Sequence, residues 1–403
     1  MHIGVIFGSR SVEHEVSIIT ALQTINTLAA SNTHKIVPVY ISKQGDYYTG
    51  DYLLNIEHYK DLNLVMEKSQ KVHLTRQDGR ACLIKSPVKS FSKNVVAYFD
   101  VAFPIIHGSF GEDGTIQGLF EQLQIPYVGC SVLSAALTMD KITAKMVLMA
   151  SGVPVVDFLW FHSEEWFAKD DALILDSEKK FGYPVIVKPA DIGSSVGVSV
   201  ARNKDEFVEA VNLVRQFSER VLIEKYVQNL KEINISVLGD CEGHKLSVCE
   251  EPISANAFLT YADKYAGGSD SGKGSKSGLG ASSGKASGGM STAKREIPAK
   301  LSKALKDTIE SYAATSFRAL DCSGVSRIDF IIDQDDESVY VNEFNTIPGS
   351  LAFYLWEASG KPFAEMIEEL IQLGLKRKRR RDKLTFSNNV NILANANLDG
   401  IKK

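Results

Sequence analysis

Apolar positions alternate between short runs and helix-spaced stretches along the first third of the chain. Residues 3–7 (Ile-Gly-Val-Ile-Phe) predict a strand, 12–28 a helix, 36–41 a strand, 101–106 a strand and 115–122 a helix. Strand–helix alternation of this kind predicts an α/β unit with a parallel sheet. The Gly8-Ser9-Arg10-Ser11 turn after the first strand lies where such sheets bind ligands, beyond a strand's carboxyl end. A second unit over 137–228 predicts a helix at 139–150, strands at 185–188 and 221–224, and a helix at 206–217. A third, over 229–375, predicts a strand at 233–238, a helix at 297–320, paired strands at 327–332 and 339–344, and a closing amphipathic helix. In that last helix Phe363, Met366, Ile367, Leu370 and Ile371 recur at helical spacing.

Two segments break the pattern. Residues 267–289 hold nine Gly and seven Ser in 23 positions, too few apolar groups to build a core, and predict a mobile loop. Residues 376–381 are six consecutive cations, readable as a solvated helix cap or as a site for an acidic partner, and 376–403 is set apart as a basic tail.

Composition narrows the class. Of 403 residues, 44% are hydrophobic and 23% charged, as in ordinary globular chains, and the net charge of −4 gives no reason to expect nucleic acid or an anionic membrane. The five cysteines are widely spaced, without metal-ligand or C-x-x-C spacing, which fits reduced thiols in the cytoplasm. The N-terminus reads as a strand rather than a signal peptide, and no apolar run approaches the ~20 residues that span a bilayer.

Chemistry concentrates at a few strand ends. Alternation puts Arg327 and Asp329 on one face of their strand, and Glu343 and Asn345 on one face of the next. If the strands pair, Asp329, Glu343 and Asn345 offer hard oxygen ligands for Mg²⁺; a merely solvated hairpin is the other reading. Gly349, in the turn that follows, can aim its N–H at a developing oxyanion. Lys188, at a strand end before the small-residue loop 190–198, suits a phosphate cradle, although no P-loop motif is present. Glu224 with Lys225, and Glu232 just beyond, suits an adenine and ribose or else a surface ion pair. His107 precedes a loop with three glycines. Glu13 opens the first helix, as a cap or as a site group.

Taken together these motifs resemble the D-alanine–D-alanine ligases of the ATP-grasp superfamily, over residues 1–375. The markers are Glu13-His14-Glu15-Val16-Ser17, His107-Gly108 with Gly111-Glu112-Asp113-Gly114, Met139-Asp140-Lys141, Lys188-Pro189 and Gly193 to Gly197. They continue with Glu224-Lys225, Tyr261 with Lys264-Tyr265, Arg327-Ile328-Asp329, and Glu343-Phe344-Asn345-Thr346 with Pro348-Gly349. The resemblance implies a Rossmann-like N-terminal domain (1–136) that binds substrate. A two-part ATP-grasp fold would follow, its central subdomain at 137–228 and its C-terminal subdomain at 229–375, with a lid loop at 257–292. It implies D-alanine and ATP as substrates, two Mg²⁺ or Mn²⁺ ions, an acyl-phosphate intermediate, a role in peptidoglycan synthesis and a homodimer.

By the same resemblance Glu13 holds the first substrate's ammonium beside His107, and Ser194 and Tyr265 form a hydrogen-bonded chain with Glu13. Lys141, Lys188 and Lys264 contact ATP phosphates, while Glu224, Lys225, Val227 and Glu232 hold adenine and ribose. Arg327 and the Gly349 N–H stabilise the oxyanion, and Asp329, Glu343 and Asn345 bind the metal. Tyr354 and Leu355 meet the second substrate. Tyr354 departs from the family's usual serine, which leaves D-serine open as an alternative acceptor; Tyr265 argues against D-lactate. A catalytically silent ATP-binding protein is the remaining alternative.

Overall fold

The computed structural model describes residues 1–253 and 295–387. Tyr261, Lys264, Tyr265 and the whole of the expected lid at 257–292 lie outside them. The first sheet has seven strands in the order Val95–Phe99, Arg80–Lys85, Gln70–Gln77, Tyr47–Thr49, Lys35–Ile41, His2–Gly8 and Val101–Ile105. Only the last three run parallel. The other four extend the sheet as an antiparallel meander, so the expected parallel sheet is in fact mixed.

His2–Gly8 is buried on both faces, which explains its continuous apolar run. On one face Ile3, Val5 and Phe7 pack against Ile18, Leu22 and Ile25 of helix His14–Ser31. The same core takes in Met366, Ile367, Leu370 and Ile371 of the closing helix Phe363–Arg381. On the other face Ile6 and Ala102 meet Ile116 and Phe120 of helix Thr115–Gln122.

The second sheet orders Ser199–Ala201, Val185–Pro189, Arg220–Lys225 and Phe158–His162, all antiparallel. Val185, Val187, Val221 and Ile223 face the core with Phe207 and Val211 of helix Lys204–Val214. By strand alternation Lys188 and Glu224 point the other way, toward a cavity.

The third sheet orders Gly243–Leu246, Leu230–Asp240, Gly324–Asp333 and Val339–Asn345. Its Ile233, Ile235, Ile328 and Phe330 pack on Ile309, Ala313 and Phe317 of helix Lys303–Ala319. The opposite face, polar in sequence, lines the same cavity. A short ladder joins Glu251–Pro252 to Arg295–Glu296.

Two expectations change. The helix expected at 139–150 is two helices, Val132–Met139 and Lys141–Ala150, because Asp140 caps the second by accepting from the Thr143 N–H at 2.7 Å. The boundary expected at 375 falls inside the closing helix, and its cations form contacts rather than a separate tail. Lys376 pairs with Asp240 and Glu242, and Arg381 with Glu121. Buried Arg377 donates to the Tyr127 carbonyl at 2.7 Å and to the Gly129 carbonyl. Arg377→Met should cost about 2–4 kcal/mol, since it strands two buried acceptors at about 1–3 kcal/mol each. Urea unfolding of parent and variant measures it, and a loss under about 0.5 kcal/mol would contradict the assignment.

Candidate active site

Strand pairing assembles the acidic end. Arg327 lies opposite Asn345, Asp329 opposite Glu343, and Asn234 opposite Asp329 across the next ladder. Residues directly opposite share a face, so all five side chains converge. Arg327 closes a fork on Asp329, with Nε–Oδ1 and Nη2–Oδ2 both at 2.7 Å. Burial works against the Arg327 charge, but Asp329 outweighs it and holds the guanidinium firmly protonated. Asn345 Nδ2 donates to Asp329 Oδ2 at 3.1 Å. A bulge after Asp329 leaves Asn342 without a ladder partner. Its Oδ1 accepts from Lys188 Nζ at 3.3 Å.

Lysines form the facing wall. Lys141 and Lys145, one helical turn apart, are both buried. Lys141 Nζ donates to the Ile192 carbonyl at 2.8 Å. Glu224 is 2% exposed and takes Lys145 on one carboxylate oxygen at 2.7 Å and Lys188 on the other at 2.5 Å. Burial alone would raise the Glu224 carboxyl, but the two lysines overcome it and bring it to about 2. Desolvation lowers Lys141 and Lys145.

Loops from the first sheet close the far end. Glu13 sits at the first helix's N-cap position, yet its side chain makes no capping bond. It accepts instead from Ser194 Oγ. Glycine is required on both flanks: a Cβ at Gly108 would come within 2.6 Å of Glu13 Oε2, and one at Gly193 within 2.9 Å. Buried His107 joins Ile347 O through Nδ1 at 2.5 Å and Thr20 Oγ1 through Nε2 at 2.9 Å. A carbonyl only accepts, so Nδ1 carries the proton. Burial lowers the ring to about 4 and keeps it neutral. Glu112 clamps the same loops, accepting from Gly108 N at 3.1 Å, Thr346 Oγ1 at 3.1 Å and Ile347 N at 2.8 Å. Burial, then the Glu13 charge, push it up to about 7.

Beyond Gly349 the chain makes an unusual turn: Ser350, Leu351 and Ala352 are all left-handed, with φ of 52°, 53° and 52°. Each costs about 1–2 kcal/mol for a residue with a Cβ. The Ser350 N–H on Thr20 Oγ1, at 3.1 Å, and the Leu351 N–H on the Pro348 carbonyl, at 2.7 Å, hold it. The turn delivers Tyr354 to the cavity, where its hydroxyl donates to Glu250 Oε1 at 2.8 Å. Asn234 Nδ2 donates to the same oxygen at 3.0 Å, and Arg295 Nη1 stands 3.4 Å from the other. The Arg295 guanidinium lies 4.4 Å from the centroid of the Tyr354 ring.

Family models match both halves of the chain. The D-ala D-ala ligase N-terminus model covers residues 2–130, and the C-terminus model covers 147–277 and 283–372. The chain belongs to the D-alanine–D-alanine ligase family. It is 38% identical over 98% of both chains to the D-alanine–D-alanine ligase of Thermosipho melanesiensis. It is likewise 38% identical to that of Acetivibrio thermocellus, over 93% of this chain and 95% of the relative. Among solved structures it resembles the D-alanine–D-alanine ligase of Coxiella burnetii (TM-score 0.74, 28% identity, 95% and 97% covered). It also resembles the VanG D-Ala:D-Ser ligase of Enterococcus faecalis (TM-score 0.73, 27% identity, 93% and 99% covered).

For a ligase of this family, the cavity gathers Glu13, His107, Lys141, Lys188, Ser194, Glu224, Glu232, Arg327, Asp329, Glu343, Asn345, Gly349 and Tyr354. Three expected residues stand apart. Lys225 is exposed, Val227 packs with Val156 and Ile331, and Leu355 is fully buried; none of their side chains lines the cavity. Glu224, expected at the nucleotide's ribose or base, is taken up by two lysines. Sequence reasoning missed Lys145, Asn234, Glu250, Arg295 and Asn342. Lys145 carried a signal, its i+4 spacing from Lys141; Asn342 carried none, because a bulge turns it inward.

Among the described residues no group of three or more His, Cys, Asp or Glu side chains is arranged as a metal site. The expected trio has two carboxylates and one amide, gathered on one face beside the lysine wall. That hard-oxygen set fits Mg²⁺, which takes few protein carboxylates and completes its shell with phosphate and water.

Proposed function

We propose that this chain is an ATP-dependent ligase that joins two D-alanines into D-alanyl-D-alanine for peptidoglycan synthesis. One observation carries the reading: a single cavity holds a lysine wall, an acidic hairpin with Arg327, and the Glu13–Ser194 pair. Residues from 137 onward hold the nucleotide, and the N-terminal unit up to 136 holds the donor. Glu13 binds the donor's ammonium, with neutral His107 fixing the loop beside it. Lys141 and Lys188 bind phosphate oxygens, and Glu224 keeps Lys188 oriented. Glu232 reads the nucleoside. Asp329, Glu343 and Asn345 hold two Mg²⁺ (or Mn²⁺) ions, which neutralise phosphate charge when bound.

The donor carboxylate attacks the γ-phosphorus, ADP leaves, and an acyl phosphate forms. The acceptor amine then attacks that carbonyl, inorganic phosphate leaves, and the amine's proton is lost. Arg327 and the Gly349 N–H stabilise the oxyanion between these events. The reaction runs in the cytoplasm, where ATP is supplied, and by family resemblance the working form is a homodimer. The D-serine alternative is not favoured, because full-length relatives at 34–38% identity are named D-alanine–D-alanine ligases.

Phosphate release and dipeptide formation, measured together with MgATP and D-alanine alone, test the reading. One phosphate per D-alanyl-D-alanine is expected. Turnover only after adding D-serine would move the acceptor assignment. ATP binding without turnover on any amino acid would establish a silent protein.

A further inference from the structure

Resting on the ligase reading, we infer that Arg295 binds the carboxylate of the acceptor amino acid, and that Glu250 positions it. An acceptor α-amino acid brings its carboxylate into a cavity that already holds Glu13, Asp329, Glu343 and Glu250. Burying that charge requires a cation or several donors. A hydroxyl at position 354 would be the obvious donor, but a tyrosine has one O–H proton, and this one goes to Glu250 Oε1 at 2.8 Å. The Tyr354 oxygen is left as an acceptor, which repels a carboxylate.

Among the described residues four cations line the cavity: Lys141, Lys188, Arg295 and Arg327. The lysines stand on the phosphate wall with Ile192 O, Glu224 and Asn342. Arg327 has its fork closed on Asp329. Arg295 is the cation stacked on Tyr354, 4.4 Å from the ring centroid. It starts the short strand paired with Glu251–Pro252, where its backbone is fixed opposite Pro252, two residues past Glu250. A guanidinium's five N–H donors in a planar fork suit a carboxylate. Glu250 is 3% exposed and receives Tyr354, Asn234 and Arg295 together, which sets both the ring and the guanidinium.

Competition between D-alanine and D-alaninamide tests this. The amide has no carboxylate, so it serves only as acceptor, and mass spectrometry reads the ratio of D-alanyl-D-alanine to its amide at equal concentrations. The parent should strongly favour the free acid. Arg295→Gln should shift the ratio toward the amide by about 10- to 100-fold, the value of hydrogen bonds to a charged group. Tyr354→Phe should shift it by less than about threefold, because that hydroxyl does not donate to the acceptor. Glu250→Gln should shift it while the KM for ATP stays near the parent's. If Arg295→Gln does not fold, Arg295→Lys gives the same readout with a smaller shift, since it keeps charge and loses the fork. An unchanged ratio in both Arg295 variants overturns the inference, as does a Tyr354→Phe shift as large as that of Arg295→Gln. Failure of the parent to make either dipeptide would instead overturn the ligase reading.

Discussion

Glu224→Gln is expected to lower folding stability at pH 7 by about 3–5 kcal/mol, the cost of removing one partner from a buried ionic group. The parent carboxylate is matched to two buried lysines, Lys145 and Lys188. Glutamine keeps the shape but leaves both ammonium groups without their counter-ion in a desolvated site. pH gives a second signature. The Glu224 carboxyl lies near 2 in the fold, against 4.5 for an ordinary glutamate. A depressed acid contributes stability that is complete above its unfolded value and fades as the pH falls through its folded value. The parent should therefore lose this contribution between about pH 4.5 and 2, and the variant should be flatter across that window. Urea unfolding of both proteins at several pH values is the measurement. A difference below about 1 kcal/mol at pH 7 would show that the lysines shed their protons or find other partners.

Arg327→Lys should lower kcat by about 10²–10³-fold, the usual loss for one oxyanion donor, with ATP affinity little changed. A lysine keeps the charge but has no planar fork, so it cannot hold both oxygens of Asp329 and also meet the oxyanion. Steady-state kinetics give kcat, and equilibrium binding of a non-hydrolysable ATP analogue separates nucleotide affinity from chemistry. A kcat within threefold of the parent's would remove Arg327 from the chemical step. Parallel losses in kcat and analogue binding would make its role the support of Asp329.

Legibility in the sequence followed periodicity. Arg327, Asp329, Glu343 and Asn345 were readable because strands alternate and the turn between them was plain, so register followed from chemistry close along the chain. The meander over 47–99 was missed, since its partly exposed strands have weak alternation. Of the Glu250–Tyr354–Arg295–Asn234 cluster only Tyr354 was singled out, because its partners lie far from it in sequence and each is an ordinary polar residue. His14 and Ser17, family markers, turn out to be structural. His14 meets Ser9 O at 2.6 Å and Tyr40 Oη at 3.0 Å, and Ser17 Oγ accepts from Gly8 N at 2.7 Å. A motif finds a neighbourhood, and only the packing separates what touches substrate from what holds the loop.

The closing helix carries a consequence for synthesis. Met366, Ile367, Leu370 and Ile371 complete the core begun by Ile3, Val5 and Phe7. A chain emerging from the ribosome makes its first strands early, yet helix Phe363–Arg381, which completes the cover of one face, is translated long after them. Until then helix His14–Ser31 covers only part of that apolar face, and docking the closing helix joins segments very far apart along the chain, a slow kind of contact. A nascent chain stalled before this helix should be held by chaperones and cut readily by proteases, although its first strands are already in place.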